Sequence, residues 1–230
     1  MATTARWKEL CMDTTGGGNL GRFWAAALGL EFHPDGEAGY LTGPTDAHGI
    51  AMCTVPEAKT VKHRVHIDVK TPSVAYLQAL GASVVRPAEE SGLSWTVMSD
   101  PEGGELCAFV RDPGDLGDYR FYALIVDCAD PAPIAAWWAE VLGAKAVTED
   151  HGDWMTVEDV PGLPFEGLVF VPVPEPKTVK NRIHWDVYGE AAQLLAAGAT
   201  LLREPDDEIS WHVLADPDGN EFCCFEPPGG

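Results

Sequence analysis

The chain repeats itself, and that feature limits its possible folds more than any other. Residues 59–69 read KTVKHRVHIDV and residues 177–187 read KTVKNRIHWDV, with eight of eleven positions identical at an offset of 118. Residues 94–109 (SWTVMSDPEGGELCAF) and 210–225 (SWHVLADPDGNEFCCF) match at nine of sixteen, at an offset of 116. Near the start, Leu10–Asp13 followed by Phe23 and Trp24 matches Leu124–Asp127 followed by Trp137 and Trp138, at an offset of 114. Offsets that drift by so little mean a duplicated unit with small loop changes. The segment from Arg111 to Asp118 carries Pro, two Gly and three Asp, which is turn and linker chemistry. The copies are expected at 1–114 and 117–230, and 230 residues suit two domains of this size.

Each copy carries the same order of elements. Residues 6–13 read as a strand, and Asn19 is placed to cap a helix through Phe23, Trp24 and Leu28 that ends at Gly29. Short strands follow at 39–42, 49–55 and 65–69, then a helix over 73–80 stopped by Gly81, then strands at 94–98 and 105–110. Asp100-Pro101-Glu102-Gly103 is a tight turn between the last two. The second copy predicts helices over 133–142 and 190–197. Strand, helix, then strands, twice per copy, gives an α+β fold. It consists of four βαβββ modules, with mostly antiparallel curved sheets forming cups and helices outside.

Composition excludes several partners. There are 36 acidic residues against 15 Lys and Arg, a net charge of −21. Such a chain repels phosphate backbones and anionic lipid, so neither nucleic acid nor membrane is an expected partner. No apolar run approaches the roughly 20 residues that span a bilayer, and the opening residues have no signal-type apolar stretch. A cytoplasmic location is expected. Six cysteines, at 11, 53, 107, 128, 223 and 224, form no C-x-x-C motif, and reduced buried thiols are expected.

Three elements in order, found twice, resemble the vicinal oxygen chelate superfamily of glyoxalase and bleomycin-resistance proteins. They are the aromatic-to-Leu-Gly helix (Phe23-Trp24 to Leu28-Gly29, and Trp138 to Leu142-Gly143), the strands Arg64-x-His66-x-Asp68 and Arg182-x-His184-x-Asp186, and the Asp-Pro-x-Gly hairpins at Asp100 and Asp216. The resemblance implies that a cup takes one half from each copy, and that the chain is a complete pseudo-dimer as a monomer or pairs again as a homodimer. It also implies a divalent ion held by His, Glu or Gln at four places. Matching the motifs puts Glu9, Cys53, Arg64 and Cys107 at those places in the first copy, and Ala123, Val171, Arg182 and Cys223 in the second. Arginine stays protonated, and alanine and valine have no lone pair. No metal and no cofactor are therefore expected.

What lines the cups instead is expected to be polar and aromatic. Strand alternation sets Arg64, His66 and Asp68 on one face, and likewise Arg182, His184 and Asp186, in rows with a spacing of about 7 Å. Each row reads either as an anchor or acid–base element for a small molecule, or as an ion-pair ladder that fixes the sheet. Arg64 and Arg182 are candidate partners for Glu105 and Glu221. Trp95 and Trp211, at matched positions, are candidate ligand contacts; Trp24 and Trp138 belong to the core pattern, and Trp185 faces away from the row. Trp154 reads as lying on a less constrained strand or loop, so Trp211 is expected to matter more to binding. Cys107 and Cys223 read as small buried residues, and His33, His48, His151 and His212 have no ligand spacing. One cup then holds Glu9, Cys53, Arg182, His184 and Cys223, and is expected to prefer a cationic or hydrogen-bond-donating group through Glu9; the other holds Ala123, Val171, Arg64, His66 and Cys107. The expected partner is an aromatic or amphipathic small molecule, either sequestered, as in antibiotic resistance, or turned over by Arg, His and Asp.

Overall fold

A computed structural model describes residues 3–16, 18–148 and 153–227; His151 lies outside them. The first module runs β1 (Ala5–Thr14), α1 (Asn19–Leu28), β2 (Glu31–Asp35), β3 (Ala38–Thr42) and β4 (Ile50–Thr54). The second runs β5 (Val65–Thr71), α2 (Val74–Leu80), β6 (Ser83–Arg86), α3 (Ala88–Ser91), β7 (Thr96–Ser99) and β8 (Glu105–Val110). The third runs β9 (Phe121–Cys128), α4 (Pro131–Leu142), β10 (Lys145–Thr148), β11 (Met155–Glu158) and β12 (Leu168–Pro172). The fourth runs β13 (Ile183–Gly189), α5 (Ala191–Ala196), β14 (Thr200–Arg203), β15 (His212–Ala215) and β16 (Glu221–Phe225). The class is α+β, built from the four expected modules.

The modules pair across the copies. One open eight-stranded sheet has the order β14-β15-β16-β13-β1-β4-β3-β2, joining the fourth module to the first. The other has the order β10-β11-β12-β9-β5-β8-β7-β6, joining the third to the second. The seams are the antiparallel pairs β1–β13 and β5–β9. Only β1–β4 and β13–β16 run parallel in the first sheet, and β5–β8 and β9–β12 in the second. Each seam strand is therefore buried on both edges.

Alternation divides the seam strands into two faces. Val65, Ile67 and Val69, like Ile183, Trp185 and Val187, are at most 1% exposed and face the helices. Trp138 of α4 meets Trp185 edge-on at 5.0 Å and Phe222 at 5.1 Å. Fully burying each such side chain contributes about 1.5–3 kcal/mol, which is why the tryptophans on the helix pattern are core. Several local expectations change. Asn19 is the first residue of α1, and the cap is Gly18 in left-handed conformation with no side-chain bond. Ser73 does cap α2, accepting from the Tyr76 amide. The edge strands β2, β6, β10 and β14 carry mostly exposed residues, and only packing against a neighbouring strand reveals them.

The Asp-Pro-x-Gly hairpins are more than turns. Asp100 Oδ1 accepts from the amides of Glu102 and Gly104, and Asp216 Oδ1 from those of Asp218 and Asn220. Asp216 Oδ2 also accepts from Trp138 Nε1 at 3.0 Å, so the hairpin is tied to α4. Among the described residues, no helix is long and apolar enough to cross a membrane.

Candidate functional site

The second sheet carries a cavity of about 400 Å³ on the face opposite its helices. His66 and Asp68 of β5 and Cys107 of β8 form its polar floor, because alternation points them away from the core. Cys107 Sγ lies 3.5 Å from His66 Nε2, which lies 3.7 Å from Asp68 Oδ1. Aromatic rings form the walls: Trp95 stacks on Phe109 at 5.2 Å and meets Trp154 at 6.1 Å, while Tyr122 packs edge-on to Phe109 at 5.0 Å. Tyr122 reaches the cavity because the β5–β9 register shifts between Asp68 and Val69, opposite residues 121–123. Val169 and Val171 complete an apolar side.

Burial decides the charge of the floor. It pushes the Asp68 carboxyl up to about 8 and the His66 imidazole down to about 3. At neutral pH the pair is a neutral acid beside a neutral imidazole. Burial, followed by the neighbouring Asp68, raises the Cys107 thiol far above its ordinary range, so it is no nucleophile. His66 Nδ1 and Asp68 Oδ1 are buried without a hydrogen-bond partner. Such atoms are costly to leave bare, and a ligand group that meets them recovers that cost.

The matched face of the first sheet is filled differently. Lys8, at the equivalent of Tyr122, holds its amine 4.3 Å from the Phe225 ring centroid. Glu9 is ion-paired with Lys8 and accepts from the Tyr40 hydroxyl, so it is not free to take a cationic ligand. Trp211 stacks on Phe225 at 4.9 Å. His184, Asp186 and Cys223 repeat the floor triplet, with Cys223 Sγ 3.5 Å from His184 Nε2. Cys53 of β4 lies beside Cys11 of β1, with 3.0 Å between the sulphurs.

The two arginines leave their rows. Arg64 and Arg182 precede β5 and β13 and line a separate groove of about 770 Å³ between the two KTVK segments. Arg64 donates to the carbonyls of Glu175 and Asp127, and Arg182 to that of Glu57. They do not pair with Glu105 and Glu221. Lys59 and the His63 amide take Glu105, and Lys177 and the Asn181 amide take Glu221. The lysines of the KTVK repeat lie closer to those carboxylates than the arginines do, because the segment folds back over the last strand of its own module. Trp154, expected on a less constrained strand or loop, immediately precedes β11 and stands in the cavity wall. Its match at offset 114 to Tyr40 was a usable signal, whereas the bulge at Tyr122 has none in the sequence.

The chain's matches to known proteins accord with this geometry. A family model described as the glyoxalase-like domain matches residues 9–109 and again 123–225. The chain belongs to this family. No curated protein matches it significantly. Glyoxalase I from Zea mays is a structural neighbour at 12% identity and TM-score 0.69, covering 96% of this chain and 92% of that one. A candidate dioxygenase from Bacillus subtilis is another, at 14% identity and TM-score 0.63, covering 100% and 87%. Identities this low carry the fold and nothing finer.

A glyoxalase-like protein with the superfamily's divalent ion needs donors from both halves of a sheet. In the second sheet, β9 and β12 offer Ala123 and Val171, which have none. The donors that do cluster, His66, Asp68 and Cys107, lie within 4.8 Å of one another and all belong to one module. That set does not fit the two-sided His and Glu arrangement.

Proposed function

We propose that the cavity of the second sheet binds an aromatic or amphipathic small molecule, in the manner of a protein that sequesters a drug or a hydrophobic metabolite. The supporting observation is the pairing of an aromatic wall with two buried, unpartnered polar atoms on the floor. Flat rings stack against Trp95, and the hydrogen-bonding end of the ligand meets Asp68 and His66. With both floor groups neutral, the favoured end is an uncharged donor–acceptor group such as an amide or phenol. The test is a titration with the neutral fluorophore N-phenyl-1-naphthylamine, followed by displacement with a panel of aromatic amides and phenols. Displacement at one molecule per chain supports the reading; no fluorescence gain, or a gain unchanged in Trp95→Ala, defeats it.

A second reading rests on the acid–imidazole pair itself. Asp68 protonated and His66 neutral supply a proton donor and a proton acceptor, the parts a lyase, isomerase or hydrolase needs. Turnover of a displacing ligand, lost in His66→Ala and Asp68→Asn while Trp95→Ala weakens binding alone, separates this from sequestration.

A further inference from the structure

We infer that the groove between the two KTVK segments is a second binding site, for an anionic amphipath with a carboxylate head and an aliphatic chain. The groove encloses about 770 Å³ and takes its lining from both copies. It is separate from the cup faces, although Lys62, Asp127 and Val173 border both it and the cavity of the second sheet.

The pairing of charges sets the sign of the ligand. All four lysines of the repeat are matched to carboxylates: Lys59 to Glu105, Lys62 to Asp127, Lys177 to Glu221 and Lys180 to Asp13. The arginines are held differently. Arg64 is pinned by two main-chain carbonyls and forms no ion pair among the described residues. Arg182 is pinned by the Glu57 carbonyl, and its ion pair with Glu102 spans 3.7 Å. Glu102 is already taken by the Thr14 hydroxyl and the Thr15 amide. Glu57 and Glu175 offer the arginines main-chain oxygen, and both residues are exposed. Two guanidinium groups are thus fixed in place with their charge largely uncompensated. Arg64 Nε, Arg182 Nη2 and both ring nitrogens of His63 are buried without a hydrogen-bond partner. Bare N–H groups of this kind are costly, and an anion that accepts from them recovers the cost.

His63 marks the end of the groove that takes the head. Its match, Asn181, donates to Asn220 and is 5% exposed. Gly104 stands at the place that matches Asn220, and a β-carbon there would press on the His63 ring. The imidazole therefore has room but no partner, and it lies in the field of Arg182. A carboxylate beside Arg182 and His63 meets both, which gives one molecule per chain. For the chain of the ligand, Val55 and Val173 line the groove as one matched pair. Val61 and Val179, 42% and 44% exposed, form a second. An aliphatic chain laid over them removes apolar surface from water.

The experiment titrates sodium decanoate into the full-length protein by calorimetry. Decyltrimethylammonium, with the same chain and the opposite charge, is the comparison, and both are kept below their micelle-forming concentrations. One equivalent of decanoate per chain is expected, bound at least about tenfold more tightly than the cation. Arg182→Met should weaken decanoate by about tenfold or more. Should that variant fold poorly by circular dichroism, Val61→Asp/Val179→Asp carries the same test, since both positions are exposed and the new carboxylates repel the head. It should weaken decanoate as much and leave the N-phenyl-1-naphthylamine titration unchanged. That neutral probe has no anionic head, so its result bears on the cavity and not on the groove. Equal binding of decanoate and the cation overturns the site. So does decanoate affinity unchanged in Val61→Asp/Val179→Asp, or one-for-one displacement of N-phenyl-1-naphthylamine by decanoate.

Discussion

At Asp68 the environment changes what a side chain does. Its folded value of about 8 lies above the ordinary 3.8. The folded state then binds more protons than the unfolded one, so this contribution to stability is full below pH 3.8 and is lost as pH rises through 8. His66 runs the other way. Held near 3 against 6.5, it penalises folding at low pH, and the penalty fades as pH rises from 3 to 6.5. Above 6.5 only the Asp68 part is left. Asp68→Asn should therefore flatten the fall in melting temperature between pH 6.5 and 8, removing up to about 2 kcal/mol of pH dependence; equal slopes in parent and variant would show the carboxyl already ionised. Alternation alone made His66 and Asp68 readable as one face. It misplaced Arg64, because β5 begins one residue later and alternation ceases to apply outside a strand.

The elements are held by their ends. Removing the Asp216 carboxylate strands the Trp138 indole N–H and the amides of Asp218 and Asn220 inside the protein. Asp216→Ala should cost about 3 kcal/mol, with Asp216→Asn costing clearly less; urea denaturation measures both. Gly29 ends α1 at φ +77, and a β-carbon there would press on the Asp118 carbonyl. Gly36 has φ +58 with nothing within 4 Å. Both alanine variants pay about 1–2 kcal/mol for the left-handed backbone, and Gly29→Ala should lose more than Gly36→Ala by the same method. Helix ends with Gly and the long seam strands were legible in the sequence, because periodicity and left-handed caps are local. Edge strands were not, since their residues are exposed and their identity depends on a neighbour far along the chain.

At the scale of the whole molecule, each sheet is completed by the other copy. Residues 1–114 alone would expose the seam edges of β1 and β5, which β13 and β9 cover in the full chain. That fragment should associate into dimers under light scattering, whereas a stable monomer would mean that the seams are dispensable. The repeat motifs announced the duplication, and the family resemblance implied the exchange of halves. The unequal filling of the two faces was harder to foresee, since it turns on Lys8 against Tyr122, two residues lifted by strand irregularities. That inequality predicts one neutral organic ligand per chain, bound at the second sheet. Titrating N-phenyl-1-naphthylamine into parent, Trp95→Ala and Trp211→Ala proteins tests it most directly. Loss of a large, flat apolar contact should weaken binding about tenfold or more in Trp95→Ala and leave Trp211→Ala close to the parent. Two equivalents per chain, or a loss confined to Trp211→Ala, would contradict it.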